Sequence, residues 1–441
     1  MSEYVNTNLS AMLHFGYVID WPGRPPRLPF SIETLEAARA ERATLSRLSE
    51  DAVCDYGIDL WKRVCRRVLD SRDGPFVLPL SAGLDSRAVL AGLVSQGARD
   101  IRTVTYGVPG SYDYEIAPAI AQAVGMSNER IDLRDIEVDR DCIDAIAREP
   151  GRVSFLIDMY FNRVISDRFG TEPTYLNGYL GDVLAGKYVG GGESDSWDAA
   201  LRHFAKTNRH SRTEVLTHPD IQPTDCLPQE PFVDASLLSY DDQLGYTLRQ
   251  ECLMRPIVMR AGYDCVAPML DPEWEAFMLA LNKAQRDDRY LFKQMFQRGF
   301  PQLFSLPTAV NGGLPLSASP NAVRRHERRV KRRRRLRAKL SKVFPALDVP
   351  LGNRGWKYID FKRDITGRKD LAALFEHAMH EIDQAALAPW INATGLWKEH
   401  VASTENHGKA LGVLLNLAVL HRNRPDVLRE TDASSSTVPP G

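Results

Sequence analysis

No apolar run in this chain approaches the ~20 residues that a membrane-spanning helix needs. The first residues, Met1-Ser2-Glu3-Tyr4-Val5-Asn6, carry neither the basic start nor the apolar core of a secretory signal. Cysteine is scarce: Cys54, Cys65, Cys142, Cys226, Cys252 and Cys265 are scattered, and no Cys-x-x-Cys pair occurs. That argues against a disulfide framework and a cysteine zinc site, and it points to reduced thiols in a cytoplasmic protein with no membrane span. Excess charge is missing too. Lys and Arg number 56 against 57 Asp and Glu, a net charge of −1, so the whole molecule exerts no strong pull on polyanions. No internal repeat is present. What remains is an ordinary globular composition, 44% hydrophobic, in 441 residues, enough for two or more domains and a sizeable core.

The order of elements is more telling. Residues 33–70 read as helical, with Leu60, Val64, Val68 and Leu69 on one inner face. From residue 76 strands and helices alternate: strand 76–80, helix 86–96 closed by Gly97, strand 101–106, helix 113–124 closed by Gly125, strand 130–133, then a helix near 139–148. This alternation predicts an α/β fold, a doubly wound parallel sheet. A mostly helical region follows over 151–310, with a strand-like Thr174-Tyr175-Leu176. Residues 324–339 are strongly basic, eleven of sixteen being Lys or Arg, and the polar tail 431–441 has the composition of a disordered segment.

Between the first strand and its helix lies Leu80-Ser81-Ala82-Gly83-Leu84-Asp85-Ser86-Arg87. A small-residue loop at a helix start suits a phosphate, because unpaired N–H groups and the helix dipole both favour an anion there. Ser81 and Ser86 add hydroxyl donors, and Gly83 permits a positive φ and close approach of a ligand. Asp85 makes sense in such a loop if it faces a metal ion bound to the phosphates. The same letters also fit an ordinary strand–turn–helix. The predicted place of the loop, at the carboxyl end of a strand, favours the ligand reading, since that is where doubly wound sheets bind.

This loop resembles the Ser-Gly-Gly-x-Asp-Ser signature of the PP-loop ATP pyrophosphatases, with Ala82 in place of a glycine. Three further segments narrow the resemblance to the asparagine synthetase family: Ser111-Tyr112-Asp113…Ala117…Gly125, Gly178-Tyr179-Leu180-Gly181-Asp182…Gly186-Lys187-Tyr188, and Pro268-Met269-Leu270-Asp271 followed by Asp288-Arg289…Lys293…Phe300-Pro301. The resemblance covers residues 76–307. It implies a ligase that activates a carboxylate as an acyl-adenylate, using ATP and Mg²⁺, and then joins it to ammonia or an amine. It implies a pyrophosphate cradle of Ser81, Ala82, Gly83, Asp85 and Ser86, and adenosine near Leu80, Tyr106 and Gly178. Asp85 and Asp182 would hold the metal. Arg289 falls where the family places a catalytic lysine. The substrate would be a small-molecule or peptide carboxylate.

Tyr179 and Val183 stand where the family carries Glu, which removes two carboxylates and argues against aspartate as substrate. The family's glutaminase domain, with its Cys at position 2, has no counterpart: position 2 is Ser, and about 70 residues precede the loop. The expected organisation is therefore a helical or linker segment 1–70, a synthetase-like domain 71–310, a helical extension 311–430 and a disordered tail 431–441. Nitrogen would come from free ammonia, a substrate amine or a separate glutaminase subunit. Two alternatives stay open: a PP-loop enzyme that modifies tRNA, gripping it with the basic run, and a degenerate relative that binds nucleotide without turning it over. The basic run is read first as a solvated helix face, so nucleic acid is not the favoured partner. Gly181–Lys187 fits most of a Walker A loop, but Tyr188 supplies no hydroxyl for Mg²⁺. His377 and His380 are read as surface residues rather than metal ligands.

Overall fold

A computed structural model describes residues 7–149, 151–152, 154–187, 194–211, 214–343, 364–402 and 404–428. The chain opens with helices α1 (Thr7–Phe15), α2 (Ile32–Leu45) and α3 (Glu50–Asp70). Serine hydroxyls cap the second and third: Ser31 accepts from the Thr34 amide at 3.1 Å, and Ser49 from the Ala52 amide at 3.3 Å. Then β1 (Phe76–Pro79), α4 (Asp85–Ser95), β2 (Ile101–Gly107), α5 (Tyr112–Ala123), β3 (Asn128–Asp132) and α6 (Arg140–Ala147) alternate as the sequence pattern predicts. After α7 (Phe155–Phe161) come β4 (Thr174–Leu176) and β5 (Cys265–Val266).

The five strands form one all-parallel sheet in the order β3-β2-β1-β4-β5. Phe76 is in register with Ile101 on one side and Thr174 on the other. Alternate β1 residues serve two cores: Val77 packs with one, Phe76 and Leu78 with the other. The second core gathers α2, α3 and α4 with Trp274, Phe277 and Phe296. The first joins α1, α7 and the late helices Lys369–Gln384, Ala393–Val401 and Gly408–Asn423. Segments from both ends of the sequence thus share the cores of the 71–310 region.

The basic run lies on helix Pro320–Val343, whose described Lys and Arg side chains are exposed. His377 and His380 are exposed on helix Lys369–Gln384. The tail 431–441 and Tyr188 lie outside the described residues. Among those described, no helix is long and apolar enough to cross a membrane, and all six cysteines are free thiols.

Two buried acids set an expected pH dependence of stability. Burial pushes Asp158 up to about 7, although Arg152 Nη1 lies 3.4 Å away. Burial, with Asp271 and Glu251 nearby, pushes Glu275 up to about 8. A carboxyl raised on folding holds its proton longer in the native than in the unfolded state. Its favourable contribution is complete below the unfolded value near ~4 and is lost as pH rises through the folded value. Unfolding free energy from urea titrations should therefore fall between about pH 5 and 8, and the double variant Asp158→Asn, Glu275→Gln should flatten that fall. An unchanged slope in the double variant would show that other groups set it.

Candidate functional site

In the order β3-β2-β1-β4-β5 the chain steps outward from β1 to β3 and then returns to β4 on β1's other side. A crevice opens at such a reversal, beyond the carboxyl ends of the two strands. The segments that meet there are the loop after β1 and the turn after β4. Asp85 and Gly178 touch across it so closely that a Cβ at position 178 would lie 2.5 Å from Asp85 Cβ and 3.0 Å from the Ser86 amide nitrogen. Gly181 faces the Asp85 carboxyl in the same way. A cavity of about 330 Å³ lies between these segments. Its wall includes Ser81, Gly83, Asp85, Ser86, Gly178 and Asp182, together with Asn177, Tyr179, Lys187, Arg249 and Gln250.

The β1 loop is folded on itself. Leu80 is fixed to β2: its amide donates to the Val104 carbonyl at 2.8 Å, and its carbonyl accepts from Thr105 Oγ1 at 2.8 Å. Ser86 Oγ accepts from the Ser81 amide and lies 3.1 Å from Ser81 Oγ, which accepts from the Gly83 amide at 3.1 Å. Gly83 does not use the positive φ open to it; the hydroxyl of Ser81 stabilises the turn instead. The Ala82 amide donates to Asp113 Oδ1 at 2.7 Å, so it points away from any phosphate in the crevice. Beneath the loop, the fully buried Arg87 guanidinium donates to the carbonyls of Ala82, Leu303, Leu306 and Pro307, and burial pushes it down to about 10.

The charged centre is Asp182. Its Oδ1 accepts from Arg289 Nη1 at 2.6 Å and its Oδ2 from Lys187 Nζ. Asp85 Oδ1 is buried with no hydrogen-bond partner among the described residues. Burial and the negative charge of Asp182 hold the Asp85 carboxyl well above the usual carboxylate range, against the pull of Lys187 and Arg289. Burial opposes the charge on Arg289, but Asp182, then Asp288 and Asp85, more than offset it and raise its pKa. The backbone here is strained. Leu180 (φ 68°), Asp288 (φ 45°) and Arg289 (φ 60°) are three of the four non-glycine residues in the left-handed region among those described. Each costs on the order of 1 kcal/mol and persists only where surrounding contacts enforce it.

Tyr179 lies against Glu251, not a metal position: its hydroxyl donates to Glu251 Oε1 at 3.0 Å, which also accepts from Arg255 Nη1 at 3.1 Å. Burial and then Glu251 push the Tyr179 phenol up. Glu251 belongs to a helix that passes from α-helical (Tyr240–Leu244) through π-helical (Gly245–Met254) to α-helical (Arg255–Val258) winding. The wide π turn is where Arg249 and Gln250 reach the cavity, a device common at functional sites.

Of the residues expected from the sequence, Ser81, Gly83, Asp85, Ser86, Gly178 and Asp182 line one cavity. Leu80, Ala82, Tyr106 and Arg289 are outside its wall; Arg289 joins the site through Asp182, and Leu80 and Ala82 support the loop from behind. The donor set fits a divalent cation: two carboxylates lie together, one with a buried oxygen that has no partner among the described residues, and Lys187 and Arg289 now supply the positive charge. Lys187, Arg249, Gln250 and Glu251 were not anticipated as site residues. Lys187 sits inside a segment already singled out, whereas the other three carry no local signal. No protein-family model matches the chain, and no curated protein matches it.

Proposed function

We propose that this protein is an ATP-dependent, AMP-forming carbon–nitrogen ligase of asparagine synthetase type, built on a PP-loop sheet. One observation carries the reading: the loop after β1 and Asp182 after β4 converge on one cavity at the strand-order reversal, with the buried Arg289 behind Asp182. In the reaction a substrate carboxylate oxygen bonds to the α-phosphorus of ATP, the α–β bridge breaks, and pyrophosphate leaves. An amine nitrogen then bonds to the acyl carbon, and AMP leaves with the electron pair of the C–O bond. Mg²⁺ would supply charge neutralisation at the phosphates. Ser81, Gly83 and Ser86 cradle pyrophosphate, Asp85 and Asp182 hold the metal, and Arg289 with Lys187 offsets negative charge. The amine must lose a proton, and Tyr179 backed by Glu251 is a relay of suitable chemistry: phenol oxygen accepts as the phenol proton passes to the carboxylate.

The test is ATP–pyrophosphate exchange with product analysis. AMP and pyrophosphate, formed only with a carboxylate present, support the reading. ADP and phosphate, or no ATP binding by calorimetry with Mg²⁺, would end it. A second reading draws on one observation: the Ala82 amide and both Asp182 oxygens are already engaged. A chain in that state would bind nucleotide without turnover, and ATP binding without exchange would favour it.

No intrinsic glutaminase activity is expected. That chemistry needs an activated nucleophile, and the first cysteine, Cys54, is buried within α3, its thiol pushed up to about 11 chiefly by burial. Glutamate release from glutamine by the purified chain, with and without ATP, should stay at the blank rate. Release abolished in Cys54→Ala would overturn this expectation.

A further inference from the structure

A second chamber, of about 290 Å³, adjoins the first, and Val183, Arg249 and Gln250 line both. Its far wall carries Asp241, Asp242 and His203. We propose that this chamber binds the nitrogen donor, and that the donor is an organic primary amine held as its ammonium ion rather than free ammonia. The proposal rests on the ligase reading above for the fate of the amine, but not for its binding.

Size argues first. One water-sized molecule, and ammonia is water-sized, needs about 10–15 Å³ of such space, so the chamber exceeds the need of ammonia roughly twentyfold and takes a carbon chain. Charge argues second: two carboxylates line the chamber against one guanidinium, Arg249, which donates to Asn208 Oδ1 at 3.3 Å. Asp241 accepts from the Ser194 amide at 2.7 Å and its hydroxyl at 3.2 Å, and lies 3.5 Å from His203 Nδ1. Asp242 is less occupied: Oδ2 meets Arg286 Nη1 at 3.4 Å, and Oδ1 has no partner among the described residues. Carboxylates retain acceptor capacity in this state, and an ammonium group brings three donors. The third observation concerns Gln250. It is 5% exposed, faces both chambers, and its side-chain amide makes no hydrogen bond among the described residues. Its amide is therefore available to a polar ligand passing between the chambers. Val183 completes the argument: an apolar side chain on the shared wall leaves a passage for an alkyl stem where the expected Glu would have placed a competing charge.

The test is calorimetric titration of the full chain, without ATP, with n-butylammonium and 1,5-diaminopentane, against 1-butanol and ammonium chloride. The amines should bind, more weakly as salt rises, and the two controls should not. Asp242→Asn should weaken amine binding about tenfold or more. Gln250→Leu, which removes no bond within the protein and should fold normally, should weaken it about threefold to tenfold. Equal binding of butanol and butylammonium, no amine binding, or unchanged affinity in both variants would overturn the proposal. A separate measurement isolates the ligase reading. Amine binding with no AMP formed from ATP and any carboxylate tested would remove the ligase and leave the chamber an ammonium site. Incorporation of the amine into an amide would support both.

Discussion

Arg289→Ala should lower ATP-dependent amide formation by about 10²- to 10³-fold, the usual loss when a preorganised charge partner of the transition state is removed. ATP binding should change far less. Arg289 is buried, fixed by its 2.6 Å bond to Asp182 Oδ1, and held by a backbone that it and Asp288 place in the left-handed region. Its removal also frees Asp182 Oδ1, so affinity for Mg²⁺ should hold or rise while turnover falls. A merely structural loss would lower both, so the two are separable in one titration. Arg289→Lys should recover much of the rate because the charge is kept, although the planar guanidinium is lost. If Arg289→Ala turned over like the wild type, Arg289 would have no place in the site.

Gly178→Ala should be nearly as damaging, by a different route. The new Cβ would lie 2.5 Å from Asp85 Cβ, 2.8 Å from the Asp85 carbonyl carbon and 3.0 Å from the Ser86 amide nitrogen. These are main-chain and stem atoms at the start of α4, not the tip of a flexible side chain. The turn after β4 would have to move away from α4 by about 1 Å, a displacement that typically costs about 10²-fold in rate, and overpacking of this kind costs about 1–3 kcal/mol of stability. Gly181→Ala is a useful comparison. Its nearest neighbours are Asp85 Cγ and Oδ1 at 2.8 Å, which can turn, with Asp85 Cβ at 3.1 Å, so it should lose less stability than Gly178→Ala but lose metal affinity. Wild-type turnover in Gly178→Ala would mean that the close approach of β4 to α4 has no functional consequence.

The two variants probe parts of the site that differed in how readable they were. The Ser81–Ser86 loop was legible because its signal is local, a strand end followed by small residues and a carboxylate, whereas Gly178 and Asp182 were expected only through the family resemblance. The strands β1 to β4 were legible for the same reason, since apolar runs bounded by glycine and polar turns mark them. The two-residue β5 was not, being too short to carry a periodic pattern. Gly83 shows a subtler limit. The sequence indicated a tight turn there, but whether glycine or a neighbouring hydroxyl stabilises it is a matter of geometry.

By itself, then, the sequence determined the alternating α/β order and the place of the loop, with Asp85 in it, at a strand end, because short-range pattern and backbone chemistry suffice for those. The tertiary structure alone decided what faces what. It turned the Ala82 amide toward Asp113, set Lys187 and Arg289 on the two oxygens of Asp182, and gave Tyr179 to Glu251, 72 residues away. It also wound Gly245–Met254 as a π-helix and set Arg249 and Gln250 on the shared wall of two chambers. The terminal segments joined the central cores for the same physical reason: burial of apolar surface is non-directional, so which distant faces cover one another is settled only when the whole chain has packed.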